Sequence, residues 1–242
     1  MNKISLTDIG LVREKNQDSI FASDEFDLPL FIIADGMGGH KGGEIASKTA
    51  IENIKAIFLK NKKKLVSSRN IIKTIEEALQ KSNTDIHKKS LKTLEYSGMG
   101  TTVSLCYIYE SYVYIGHVGD SRIYKITSDN IIQLTEDHSL TNELLKKGEI
   151  TAEEALSHPQ KNIITRAVGS SPCLEVDIEK VNLKNTDSLL LCTDGLYNMV
   201  EDNKILEIFK ENTSLKVTGN KLVNQAKNNG GYDNISLILI GF

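Results

Sequence analysis

Residues 31–40 read FIIADGMGGH, an apolar run that stops at a carboxylate and then spends three glycines and a histidine within five positions. The continuous run LPLFIIA (28–34) predicts a short buried strand, and the Asp-Gly pair that follows it predicts a turn. One such ending is ordinary turn chemistry. The pattern recurs, however: HVGDSR, CTDGLY and GGYDN place Asp120, Asp194 and Asp233 near glycine at the ends of apolar runs, and Asp18 joins them from VREKNQD. If these strands lie side by side, their carboxylates converge on one edge, where mutual repulsion raises several pKa values unless cations intervene. Oxygen donors without Cys or His in the motif suit Mg²⁺ or Mn²⁺ rather than Zn²⁺ or copper. Four ionised aspartates balance two divalent ions, and a pair of ions about 3.5–4 Å apart is a clamp for in-line attack of a bridging water on phosphorus. The spacing alone therefore predicts metal-assisted hydrolysis of a phosphate ester.

Outward from that stretch, strands and helices mix without a βαβ rhythm. KISLTDIG alternates over residues 3–10, DSIFAS follows, and the apolar positions of residues 43–59 fall on one helical stripe, with a second helix predicted from Ser68 to about Ser90. Strands return in TTVSLCYIY, YVYIGHVGD and the pair RIYKIT/NIIQLT, joined at Ser128-Asp129 as a hairpin. LEVDIEKVNL, DSLLLCTDG and NISLILIGF read as further strands, and residues 203–209 and 214–228 as helices. Between them, the polar stretch from about Asp137 to Ser171 carries little β signal beyond a short helix and is read as a flap over the surface. Strands grouped together with helices outside predict one α+β domain over residues 1–242.

Composition narrows the function classes. The 242 residues are 40% hydrophobic and 25% charged, as in soluble globular proteins, and a net charge of −3 with scattered lysines lacks the footprint of a nucleic-acid binder. The run Lys60-Asn61-Lys62-Lys63-Lys64 reads as a solvated helix end. No apolar run approaches the roughly 18 residues needed to span a bilayer, and MNKISLTDIG has no leader-like apolar segment, so a cytoplasmic monomer with no membrane partner is expected. Cys106, Cys173 and Cys192 are odd in number and far apart, which argues against a disulfide framework or a zinc ribbon.

Taken in order, Arg13-x-x-Asn16-x-Asp18, Asp35-Gly36-Met37-Gly38-Gly39-His40, Gly100-Thr101-Thr102, Gly119-Asp120-Ser121-Arg122, Leu134-Thr135-x-Asp137-His138-Ser139, Thr165-Arg166-Ala167-Val168-Gly169, Thr193-Asp194-Gly195-Leu196 and Asp233-Asn234-Ile235-Ser236 span nearly the whole chain. Together they resemble the metal-dependent (PPM, type 2C) serine/threonine protein phosphatases, bacterial members in particular. The resemblance implies a four-layer α-β-β-α sandwich, two central antiparallel sheets flanked by helices, with two Mn²⁺ or Mg²⁺ ions in a cleft at one end. It implies that Asp35 bridges both ions, that the Gly36 carbonyl binds the first, that Asp194 and Asp233 hold the second, and that Asp18 orients metal-bound water. Gln17 stands where some members carry glutamate. Asp120 with Asp194 matches a third metal position. The substrates implied are phosphorylated proteins, with a serine/threonine kinase as the functional counterpart.

Arg13 also has a role on physical grounds, since a phosphate dianion meeting a neutral cluster needs a bidentate donor that lysine does not supply. His40 is the candidate general acid for the leaving alkoxide. His117, in an apolar strand, reads as a core residue, and Thr101 and Thr102 as strand residues supporting the site. A cysteine-based phosphatase would need an arginine six residues past its nucleophile, but positions 112, 179 and 198 are Tyr, Glu and Asn. The P-loop pattern GxxxxGK[ST] is absent, and a nuclease would need a basic track. The competing reading is a catalytically silent regulatory or phosphoprotein-binding domain on the same fold, which should have lost a metal aspartate.

Overall fold

The computed structural model describes residues 1–24, 28–38, 42–184, 186–211 and 214–242. The apolar run becomes strand β3 (Leu30–Met37), which continues through Asp35 and Gly36 before it breaks. It pairs antiparallel with β2 (Asp18–Ala22) and β5 (Val103–Tyr109), and its end meets the short β4 (Gly100–Thr101). With β6 (Tyr112–Val118) and β9 (Asp177–Asn182) the first sheet runs β2-β3-β5-β6-β9. A second antiparallel sheet is ordered β1-β11-β10-β7-β8, from β1 (Asn2–Asp8), β7 (Arg122–Ile126), β8 (Ile131–Gln133), β10 (Ser188–Cys192) and β11 (Ile235–Gly241).

Helices cover both outer faces, so the expected α-β-β-α layering holds. Helices α1 (Gly42–Asn61) and α2 (Ser68–Ser90) bury Ala46, Ala50, Ile54, Phe58, Ile71, Ile75 and Leu79 against Leu30, Ile32, Val103 and Leu105 of the first sheet. Ser67 caps α2 by accepting from the Asn70 amide, which explains why that helix starts where its polar residue predicts. The lysine run falls where α1 ends, in a turn of 3₁₀ helix at Lys62–Lys64 with no buried residue. On the other side α6 (Asp202–Lys210) and α7 (Leu215–Asn228) place Ile205, Ile208, Leu222 and Ala226 on Leu190, Cys192, Leu237 and Leu239.

Between the sheets lies a third apolar layer, and strand alternation shows how it becomes a site. Phe31 and Ile33 of β3, Cys106 of β5, Val113 and Ile115 of β6, Ile123 of β7, Leu189 and Leu191 of β10, and Ile238 and Ile240 of β11 fill this layer. Because side chains alternate with period two, the next positions on the same faces are Asp35, Ser104, Thr102, His117, Ser121, Thr193 and Ser236. Asp18 belongs to the same series, two residues before Ile20, which packs against the layer. The sandwich interior thus changes along its length from hydrocarbon to hydroxyl to carboxylate, all at one end. Cys106 and Cys192 are buried, and burial pushes both thiols up, whereas Cys173 is exposed.

The flap between β8 and β9 contains two helices rather than the one expected, α3 (Leu140–Lys146) and α4 (Ala152–Ser157). Each is short for an apolar stripe and is specified instead by its cap: Ser139 accepts from the Asn142 amide, and Thr151 with Glu154 forms a capping box. An antiparallel bridge between Ser139 and Ile164 closes the neck of the excursion.

Two of the glycines after the opening strand have a steric cause. A Cβ on Gly36 would lie 2.1 Å from the Gly43 carbonyl oxygen, and one on Gly43 would lie 2.4 Å from the Gly36 oxygen. The start of α1 therefore meets β3 backbone to backbone. Gly43→Ala is expected to destabilise the fold by about 1–3 kcal/mol through this overpacking, read as a lower urea midpoint at unchanged slope.

Candidate active site

The carboxylates are brought together by register. Asp18 on β2 pairs directly with Asp35 on β3, a like-charge cross-strand pair that is unfavourable by itself. In the other sheet Arg122, Cys192 and Leu237 are aligned across β7, β10 and β11, so that Asp120, Asp194 and Asp233 project from the same end. Asp194 opens the one-turn helix α5 (Asp194–Tyr197), so the strand expected over DSLLLCTDG ends at Cys192 and its last two residues are helical. Arg13, Asp35, Gly36, Asp120, Asp194 and Asp233 all line one cavity of about 330 Å³. Asp18 lies just beneath it, 8% exposed, and Gly39 and His40 lie outside the described residues.

Electrostatics at this end are unbalanced. Burial first, and then the neighbouring carboxylates, raises the pKa of Asp35 well above the carboxylate range. Asp18 and Asp120 are likewise raised by burial and then by Asp194, against hydrogen bonds from Thr193 and Ser236 in the case of Asp18. Asp194 is raised by burial and by Asp233, and lowered in turn by Arg13. One oxygen of Asp18 and one of Asp194, both Oδ1, are buried with no hydrogen-bond partner among the described residues. Burying such oxygens costs several kcal/mol unless something positive meets them.

Hard divalent cations fit that description. The donors are carboxylate oxygens and the Gly36 carbonyl, and Mg²⁺ or Mn²⁺ accept such ligands. Among the described residues no group of three or more Asp, Glu, His or Cys side chains is placed to hold a metal ion by itself. Mg²⁺ is commonly held by one or two carboxylates and keeps several waters as ligands.

Arg13 stands at the mouth, where Nη2 donates to Asp233 Oδ2 at 2.6 Å, and this carboxylate raises the guanidinium pKa further. Its loop is held by a residue that motif matching alone gave no task. Asn234 accepts from the Gln17 amide at 2.8 Å and donates through Nδ2 to the carbonyls of Ile9 and Lys15 at 2.9 and 3.0 Å. Gly195 is needed beside it, since a Cβ there would stand 2.0 Å from the Asn234 carbonyl oxygen. Thr193 Oγ1 donates to Asp18 Oδ2 at 2.9 Å and accepts from the Ser236 amide at 3.1 Å.

Thr101 and Thr102 do support the site. Thr102 Oγ1 accepts from the Asp35 amide and lies 2.7 Å from Ser121 Oγ, while Thr101 Oγ1 donates to the Asp35 carbonyl. They join the strand carrying Asp35 to the turn carrying Asp120. Asn162 and Ile164 of the flap also line the cavity, a contribution that only the closed neck makes visible. His117 is a buried core residue, with Nε2 donating to the Glu136 carbonyl and Nδ1 2.8 Å from Ser104 Oγ.

Fold and site together define a hydrolase of the phosphatase class, in which a sheet-end carboxylate cluster faces an open anion-sized cavity. Residues 12–227 match the protein phosphatase 2C family. The chain is 39% identical to the serine/threonine phosphatase stp of Listeria welshimeri over 236 residues, covering 97% of this chain and 93% of that one. It is also 39% identical to the protein phosphatase PhpP of Streptococcus pneumoniae, covering 97% and 95%. The structure is similar to that of the Streptococcus agalactiae serine/threonine phosphatase, with a TM-score of 0.94 at 36% identity over 99% of this chain and 98% of that one. The chain belongs to the protein phosphatase 2C family and is a phosphatase. Among the described residues no helix is long and apolar enough to cross a membrane.

His117 gives a pH test. Burial, and next the neighbouring His138, lowers its pKa from 6.5 to about 4. Between those values the unfolded chain binds the proton and the native one does not, so stability falls as pH drops from 6.5 towards 4. The expected contribution is at most about 1.4 kcal/mol per pH unit, and the slope should flatten in His117→Gln when urea unfolding is compared at three pH values across that range.

Proposed function

We propose that residues 1–242 form one catalytic domain that hydrolyses phosphoserine and phosphothreonine in proteins, acting as a monomer in the cytoplasm and reversing a serine/threonine kinase. The observation that carries this reading is the pair of buried carboxylate oxygens, on Asp18 and Asp194, that have no partner among the described residues, beside a cavity lined by Asp35, Asp194, Asp233 and Arg13. The names of the relatives support the substrate class. Two Mn²⁺ or Mg²⁺ ions would be held by Asp35, the Gly36 carbonyl, Asp194 and Asp233, with a third position at Asp120 and Asp194. When bound, the ions supply charge neutralisation and a water acidic enough to attack phosphorus at neutral pH.

The chain's own residues then have separable tasks. Asp35, reached by both sheets' carboxylates, fixes where negative charge must be compensated. Asp18 is held by Thr193, so that its free oxygen can accept from a water above it. Arg13 binds two phosphate oxygens, and its present bond to Asp233 keeps the guanidinium at the mouth. His40, assigned from sequence alone, donates the proton that the departing serine or threonine alkoxide needs. The open cavity admits a phosphoresidue on an extended segment, and the chain's lack of a basic track argues against a nucleic-acid backbone.

Purified protein should hydrolyse p-nitrophenyl phosphate and phosphothreonine peptides only when Mn²⁺ or Mg²⁺ is added, and absence of turnover in excess Mn²⁺ would refute the reading. Asp35→Ala and Asp233→Ala should each lose metal-dependent activity while retaining the native circular dichroism spectrum. Arg13→Ala should mainly raise KM, and unchanged KM and kcat would reject its phosphate role.

A further inference from the structure

Three motif residues, His138, Arg166 and Gly119, have no task in the chemistry above, yet they form one cluster in which His138 and Gly119 are buried and Arg166 is partly exposed. His138 is 7% exposed and stands at the entry to the flap. It grips both polar groups of Gly119: the His138 amide donates to the Gly119 carbonyl at 2.8 Å, and the Gly119 amide donates to His138 Nδ1 at 2.9 Å. A backbone N–H can only donate, so Nδ1 is the bare nitrogen and Nε2 carries the proton. Nε2 in turn faces Asp177 Oδ2 at 3.0 Å, and Arg166, whose Nη1 is also 3.0 Å from Nε2, donates to Asp177 Oδ1 at 2.8 Å.

The same histidine holds the returning arm of the flap, because the Thr165 amide donates to the His138 carbonyl at 2.9 Å and the Leu140 amide to the Ile163 carbonyl. Gly119 has φ of +110°, and a Cβ there would sit 2.6 Å from Thr102, so this turn has no other residue to choose and little freedom to shift. Next to Gly119 is Asp120, and next to Ile163 is Asn162. These two line both the cavity of about 330 Å³ and a neighbouring one of about 180 Å³ beneath the flap helices, so they form the wall between them.

We propose that His138 is a positioning residue that clasps the Gly119–Asp120 turn to the neck of the flap and so sets the spacing of the Asp120–Asn162 wall. The role rests on the phosphatase reading for its catalytic consequence, but the clasp itself is a property of the folded chain. It is fixed by the tautomer: Asp177 holds the proton on Nε2 and leaves Nδ1 as the acceptor.

The direct test is a nitrogen–nitrogen coupling measured by NMR across the hydrogen bond of the unaltered protein. A coupling between the Gly119 amide and His138 Nδ1 is expected. Its absence with Nδ1 protonated would overturn the proposal, whether or not the protein turns over any substrate. Variants test the consequence: His138→Asn can place Oδ1 where Nδ1 lies, and His138→Gln cannot. His138→Gln is expected to speed exchange of the Gly119 amide and to lower kcat/KM on a phosphothreonine peptide, each by about 10-fold, and His138→Asn to restore both to within about 3-fold of the unaltered protein. Equal behaviour of the two variants would overturn it. Lack of turnover in the unaltered protein with the coupling present would instead refute the phosphatase reading.

Discussion

Repulsion among buried carboxylates is the constraint on which the rest of this structure depends. Asp18 and Asp35 face each other across a β-ladder, with Asp194 and Asp233 close enough to raise both pKa values further. A sandwich of this size could have closed that end with hydrocarbon, as it does the other. Instead the interior is graded, and a layer of hydroxyls from Thr102, Ser104, Ser121, Thr193 and Ser236 stands between the apolar core and the charges. Apart from the bond of Thr193 to Asp18, those hydroxyls bond among themselves and to the strands, so the acidic end is held largely by bonds that do not depend on its charge state.

Much of this was legible from the sequence, because the carboxylates stand where apolar runs begin or end. LPLFIIA and ADGMGG fix both the strand and the place of Asp35, and the long stripes of α1 and α2 fix the covering helices. Parity carries the rest: Phe31, Ile33 and Asp35 share one face because strands alternate, so that a carboxylate at the next odd position had to enter the layer between the sheets. Family resemblance named the residues, but alternation explains why those positions converge.

What the sequence did not yield has a common physical cause. The second flap helix and α5 are too short for periodicity to register; the capping box Thr151–Glu154 marks the flap helix, and α5 has no side-chain cap at Thr193. Asn234 and Thr193 act through hydrogen bonds to backbone and carboxylate atoms far away in the chain, and no local pattern predicts such pairs. A Thr just after one apolar run and an Asn just before another were the available signal. His138 was noticed as part of a motif, but its task depends on which ring nitrogen meets the Gly119 amide, a matter of tertiary geometry alone.

The pairing of β1 with β11 and the contact of Arg13 with Asp233 join residues more than 200 positions apart. Such closures are slow, because the entropy of ordering the intervening chain must be lost before the contacts form. The acidic end therefore cannot be completed by any growing chain that has not yet delivered residues 233–240. A polypeptide emerging from the ribosome would carry its first carboxylates well before their companions, and competence would arrive in one late step, when the closing strand enters the sheet between β1 and β10.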